Sequence, residues 1–223
     1  MSMERVISVA VGELTTTELP PGSNKVKYNT EYYGQAVSGD AYKWCLVFLW
    51  WVFKHSGEAS AFFGGAKTAS CGTFLKWYQA QGLTVPVAEV QPGDIAILNF
   101  HGTKATEHCG LVVDVGLKDG IYTVTTVEGN TSPGLEGSQD NGGCVALKDR
   151  YIRQVIAVCR PQYKEEKEPM PKDDITGHWA EQPIRRCMQR GLMQGDPDGT
   201  WRPDQAVTRA ELAVILDRLG VLE

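Results

Sequence analysis

The pattern of apolar and polar positions changes character once along the first 160 or so residues. Up to Gly82 it reads helical. Near the start, Val6, Ile7, Val9, Ala10 and Val11 form a short apolar stretch, broken by Ser8 and flanked by Glu4 and Glu13, which fits an amphipathic helix. From Trp44 to Lys54 the chain is almost continuously apolar, which predicts a helix buried on all sides. Another helix is expected over roughly Gly72–Gln81, following Ser70 and stopped by Gly82. After Pro92-Gly93 the pattern becomes one of strands. Asp94–Asn99, His108–Val115, Ile121–Glu128, Gly143–Leu147 and Ile152–Arg160 are rich in Val and Ile and are separated by turn residues such as Asp119-Gly120. Helices followed by an antiparallel sheet predict an α+β fold.

The composition shifts at PQYKEEKEPMPK, where proline and alternating charge read as a solvated linker. The expected organisation is a first domain over residues 1–162, a linker over 163–172 and a small second domain over 173–223. The second domain carries two helical patterns, roughly His178–Gln189 and Arg209–Leu219. Leu212, Ile215, Leu216 and Leu219 form a stripe on the second, and Thr208 with Glu211 spells a capping box at its start. Gly195, Asp198-Gly199 and Pro203 force turns between the two. Asp196-x-Asp198-Gly199 lacks the remaining ligand spacing of a calcium loop. So short a segment buries little apolar surface by itself, and its stripe needs a partner on the first domain or on other copies of the chain.

Charge and cysteine usage narrow the function classes. The 223 residues carry a formal net charge of −5 without a basic stripe, so nucleic acid is not an expected partner. The longest apolar run, Trp44 to Phe53, is about half of the roughly 20 residues a membrane span needs. The N-terminal stretch lacks the basic start and small-residue cleavage site of a signal peptide, so a cytoplasmic start is expected. None of the six cysteines (Cys45, Cys71, Cys109, Cys144, Cys159, Cys187) forms a Cys-x-x-Cys pair, so small buried thiols are expected, with no metal, no cofactor and no disulfide framework.

One cysteine stands where chemistry is available to it. Cys45 opens the buried helix, and a helix N-terminus favours the thiolate form that attacks carbonyl groups; a core cysteine on an apolar helix is the plainer alternative. A nucleophile needs a base. Of the four histidines, His55 ends the first buried helix, His101 lies in a polar loop, His178 lies beyond the linker, and His108 opens a strong strand. If the strands flanking Asp119-Gly120 form a hairpin, position 108 lies opposite roughly 128 to 130. A register pairing it with either end of that range puts Glu128 or Asn130 on the imidazole's face, able to fix its tautomer. A slip of one residue would separate them.

The segments PPGSNKVKYNTEYYG, AYKWCLVFLWWVF, QPGDIAIL, EHCGLVV and TVEGNTS resemble, in order and spacing, a CHAP domain of the NlpC/P60-related cysteine peptidoglycan hydrolases, over nearly all of the first 160 residues. The resemblance implies a papain-like fold, Cys45 as nucleophile, His108 as general base, Glu128 as the orienting residue and Asn130 as a further polar residue near the site. Tyr42 and Trp44 are candidates to line the substrate groove. Lys43 stands where the family often has proline, and the region before the cysteine offers only Asp40 where some members carry a calcium loop, so no metal site is expected. The segment from about residue 173 to 220, with Asp174, His178-Trp179-Ala180, Trp201-Arg202-Pro203 and Thr208-Arg209-Ala210-Glu211, resembles an S-layer homology (SLH) module, with Lys172 replacing an aromatic residue usual before the first Asp. That resemblance implies binding to secondary cell-wall polysaccharide, with Arg209 pairing to an anionic sugar substituent and Trp179 packing on a sugar ring. Such modules commonly occur three together, so a homotrimer through the single module here is an expected arrangement. The function implied is an endolysin-like enzyme that cleaves an amide in the peptide part of peptidoglycan, released from the cytoplasm to the wall. Muramoyl-alanine amidase and peptide endopeptidase both remain open. A host autolysin, a non-catalytic wall-binding protein and a cytosolic thiol protease are the alternatives.

Overall fold

The computed structural model describes residues 2–103, 105–118, 120–134, 137–164, 174–196 and 199–221. Asp119 of the expected hairpin turn, Asp198 and residues 165–172 of the expected linker lie outside the described residues. The chain divides into two compact units, Met1–Glu165 and Glu166–Glu223.

In the first unit, α1 (Ser2–Gly12), α2 (Lys27–Tyr33), α3 (Cys45–His55) and α4 (Cys71–Ala80) precede a six-stranded sheet. Its strands are β1 (Thr84–Val85), β2 (Ile95–Leu98), β3 (His108–Lys118), β4 (Ile121–Thr131), β5 (Cys144–Tyr151) and β6 (Val155–Cys159). The order across the sheet is β1-β6-β2-β3-β4-β5, and every neighbouring pair is antiparallel. This is the expected α+β arrangement.

α3 is the hub of the core. Its nearly unbroken run of apolar side chains is buried on all sides, as the pattern demanded: Leu46, Val47, Phe48, Leu49, Val52 and Phe53 are fully covered. Ile95, Ile97, Cys109, Leu111, Val127 and Cys159 face it from the sheet. A second, smaller cluster of Val90, Ala96, Leu98, Val112, Val124, Val155 and Val158 covers the other face. Both faces of the central strands are therefore buried, which explains why they read as apolar runs rather than as strict alternation.

Only Ile152–Gln154, a single 3₁₀ turn, links β5 to β6. In a flat sheet these strands would be about 19 Å apart, four inter-strand spacings, whereas the link reaches at most about 15 Å. The sheet is therefore curled. The expected strand Ile152–Arg160 is thus shorter than its apolar pattern, because its first residues make the turn.

The second unit holds α5 (Glu181–Gln189) and α6 (Arg209–Arg218). The expected capping box is present: Thr208 Oγ1 accepts from the Glu211 backbone N–H, and the Glu211 carboxylate accepts from the Thr208 N–H at 2.7 Å. Asp174 accepts from the backbone N–H groups of Trp201 at 2.8 Å and Arg202 at 2.6 Å, tying the turn before α6 to the start of the unit. Ile175 and Ile184 are buried. The stripe on α6 is not: Leu212 and Leu219 are about half exposed. No helix among the described residues is long and apolar enough to cross a membrane.

Candidate active site

Cys45 is the first residue of α3, so its sulfur stands where free backbone N–H groups and the helix dipole favour negative charge. His108 is the first residue of β3 and is fully buried. Its Nε2 lies 3.0 Å from Glu128 Oε2. An ionised carboxylate only accepts, so Glu128 fixes a proton on Nε2 and leaves Nδ1 for Cys45; Nδ1 is buried and has no hydrogen-bond partner. Burial pulls the His108 pKa down, but the charge of Glu128 and the neighbouring Cys45 outweigh it and hold it at about 9. The Cys45 thiol is held well below its ordinary value by the thiols of Cys109 and Cys71 and, against burial, by His108. Both shifts favour a thiolate beside an imidazolium.

Glu128 is itself clamped. Arg150 donates from Nε to Oε1 at 2.8 Å and from Nη2 to Oε2 at 2.5 Å, and Thr126 Oγ1 donates to Oε1 at 2.6 Å. Burial raises the Glu128 pKa, yet Arg150 and His108 dominate and hold it at about 2. Arg150 also lies over the Phe100 ring at 4.7 Å and donates to Gln139 at 3.0 Å, which fixes its fork.

The strand register explains how these groups meet. β3 and β4 pair from Lys118↔Ile121 inward to Asp114↔Thr125, and then from Val112↔Thr126 to Leu111↔Val127. Val113 is thus an extra residue in β3. Continued without it, the register would put His108 and Glu128 on opposite faces; the bulge shifts the pairing by one and returns them to the same face. Glu128 then lies across from Gly110, two residues from His108. A Cβ at Gly110 would come within 2.8 Å of both Glu128 Cγ and Thr126 Cβ, so the missing side chain is what gives the carboxylate room to lean toward the imidazole. Gly129 serves α3 in the same way. A Cβ there would meet Phe48 Cβ at 2.5 Å and Trp44 Cζ3 at 2.8 Å, so its absence lets the start of α3 rest on β4.

The other expected residues divide. Asn130 is fully buried with φ +59°; its Nδ2 donates to Asn141 at 3.0 Å, and its Oδ1 is buried without a partner. Tyr42 is half-buried, edge-on to Tyr33, and remains available to a groove. Trp44 does not line a groove: it is completely buried and its indole N–H donates to Glu18 at 2.8 Å, a packing role. His55 stacks on Trp51 and bonds Glu31, and His101 pairs with Glu107 at an exposed loop. In the second unit Trp179 is 88% exposed, and Arg209 is exposed at the first turn of α6.

Sequence reasoning missed Arg150, Thr126 and the two thiols beside Cys45. The expected strand ended at Leu147 because Lys148-Asp149-Arg150 reads as polar. In the fold β5 runs on to Tyr151 and buries Lys148 and Arg150 on alternate positions. A period-two repeat of cations at a strand end was the available signal.

Residues 37–130 match the CHAP domain family, and residues 173–213 match the S-layer homology domain family. Similar curated proteins include the outer membrane protein SlpA of Deinococcus radiodurans, 47% identical over 51 residues, covering 23% of this chain and 4% of SlpA. The cellulosome-anchoring protein of Acetivibrio thermocellus is 41% identical over 56 residues, 23% of this chain and 12% of that protein. The S-layer protein EA1 of Bacillus anthracis is 42% identical over 47 residues, 21% of this chain and 6% of that protein. The chain thus spans a small fraction of the length of these relatives. No solved structure matches it. Neither the fold nor the comparisons support the homotrimer.

Proposed function

We propose that this chain, which carries a CHAP domain followed by an S-layer homology domain, is a peptidoglycan hydrolase that cleaves an amide bond in the peptide part of the bacterial wall. The observation that carries this reading is the line from Cys45 at a helix start, through a buried His108, to a clamped Glu128. The Cys45 thiolate attacks the amide carbonyl, and the backbone N–H of Cys45 receives the developing oxyanion. His108 gives its Nδ1 proton to the departing amine, leaving a thioester. Neutral His108 then takes a proton from water, whose oxygen attacks the thioester; the carboxylic acid leaves and the thiolate returns. Glu128 keeps the imidazole oriented, and Asn130 supports the end of β4 beside it. Tyr42 lines the groove.

The second unit holds the enzyme at the wall by binding an anionic polysaccharide through Arg209, with Trp179 against a sugar ring. An endolysin-like enzyme and a host wall-remodelling enzyme both use this chemistry. A wall-binding protein without activity is the weaker reading, because the nucleophile, base and orienting carboxylate are all present.

The test is digestion of purified bacterial sacculi with mass spectrometry of the released fragments, which identifies the bond. Cys45→Ala is expected to release nothing and to keep the native circular dichroism, and His108→Ala to lose about 10⁴-fold in rate. Release of fragments by Cys45→Ala at the native rate would end the reading.

A further inference from the structure

Three thiols converge beside the candidate nucleophile. The sulfurs of Cys45, Cys71 and Cys109 all lie within 4.8 Å of one another, and those of Cys45 and Cys71 are 4.0 Å apart. All three cysteines are buried. They come from separate elements: Cys45 opens α3, Cys71 opens α4, and Cys109 projects from β3 toward the helices. The starts of two helices, of eleven and ten residues, therefore meet at one pair of sulfurs. The start of α3 favours the Cys45 thiolate, whereas Cys45 and burial raise the Cys71 thiol against Cys109, and burial raises Cys109, so an arriving cation must displace their protons.

We propose that Cys45, Cys71 and Cys109 form a binding site for one soft divalent cation of the zinc or cadmium class, and that occupation of this site silences the hydrolase. The 4.0 Å between the sulfurs of Cys45 and Cys71 fits this chemistry. Zinc–sulfur bonds of about 2.3 Å at tetrahedral to trigonal angles put two coordinated sulfurs roughly 3.8–4.0 Å apart, whereas a disulfide needs about 2 Å. Three thiolates hold a soft cation and leave its fourth position open to water. The silencing follows from electron pairs. The sulfur lone pair of Cys45 that would attack an amide carbonyl is donated to the metal instead, and a chelator that removes the ion returns it. This last step rests on Cys45 being the nucleophile; the binding site does not. Spacing along the sequence hides the site, because it contains no Cys-x-x-Cys pair.

The experiment uses the full chain, freed of metal with chelator under reducing conditions and titrated with cadmium. The expected result is an ultraviolet sulfur-to-cadmium charge-transfer band that saturates at one equivalent. Cys71→Ser and Cys109→Ser should each weaken binding at least about tenfold, while Cys187→Ser in the other unit leaves it unchanged. X-ray absorption of the zinc-loaded native protein should report three sulfur neighbours at about 2.3 Å, a measurement that needs no variant to fold. Absence of the band, retention of full affinity in both serine variants, or fewer than three sulfur neighbours would each overturn the site. Wall hydrolysis should fall in step with the band and recover with chelator. A saturated band with undiminished hydrolysis would leave the cation site standing and count against Cys45 as nucleophile.

Discussion

An ionised carboxylate can accept several hydrogen bonds, and Glu128 uses that capacity almost fully, taking them from both sides of Arg150, from Thr126 and from His108. The consequence for stability has a definite sign. A carboxyl held at about 2 against an ordinary 4.5 contributes stability that is complete above about pH 4.5 and disappears as the pH falls toward 2. At neutral pH the contribution is on the order of 3 kcal/mol. Glu128→Gln should therefore unfold at a clearly lower temperature than the native protein at pH 7. The two should converge as the pH falls to 2 and below, where native Glu128 takes up its proton and resembles the amide. Thermal unfolding across that range checks it; a gap that stays constant with pH would detach the carboxylate's charge from the stability of the site.

At the scale of elements, the site depends on two contacts that only glycine allows and on one extra residue. Gly110→Ala would drive a Cβ into Glu128 and Thr126. Such overpacking typically costs about 1–3 kcal/mol, and here it also pushes the carboxylate off the imidazole. The expected outcome is a fold that survives, seen by circular dichroism, with hydrolysis reduced by at least about tenfold. Native activity in Gly110→Ala would show that the lean of Glu128 toward His108 is not needed. The helices were legible because period and capping residues act locally: α3 follows from its apolar run, α4 from Ser70 and Gly82, and α6 from Thr208 and Glu211. The pairing of His108 with Glu128 was legible only as a range of registers. Strand pairing is set by a turn and by a bulge at Val113, and nothing in the Val112-Val113 repeat marks which residue is extra. Trp44 illustrates the opposite limit. Its position beside Cys45 suggested a groove, but the buried carboxylate of Glu18 captures its N–H, and that partner is remote in sequence. The thiol cluster and Arg150 were hidden for the same reason.

Across the whole molecule, the proposed function divides the work between the two units, chemistry in the first and location in the second. If the second unit anchors the chain through exposed side chains, Arg209→Ala in the full-length protein should weaken sedimentation with intact sacculi by roughly tenfold, about one charge-assisted hydrogen bond. Cleavage of a soluble wall peptide should stay at the native rate. Unchanged sedimentation would remove Arg209 from the anchor, and a loss of peptide cleavage would mean that the variant had disturbed the enzyme instead.

The curled sheet has a consequence in time. β6 is the last strand of its unit to be synthesised, yet it lies between β1 and β2, two of the earliest. While the chain is still emerging from the ribosome, β1 has no neighbour and β2 keeps one edge bare. Neither can finish until residues 155–159 arrive to fill the gap. Pairings so distant along the chain are slow to form. The scaffold beneath His108 is therefore completed by the final strand, and a partly made chain holds Cys45 without finished surroundings.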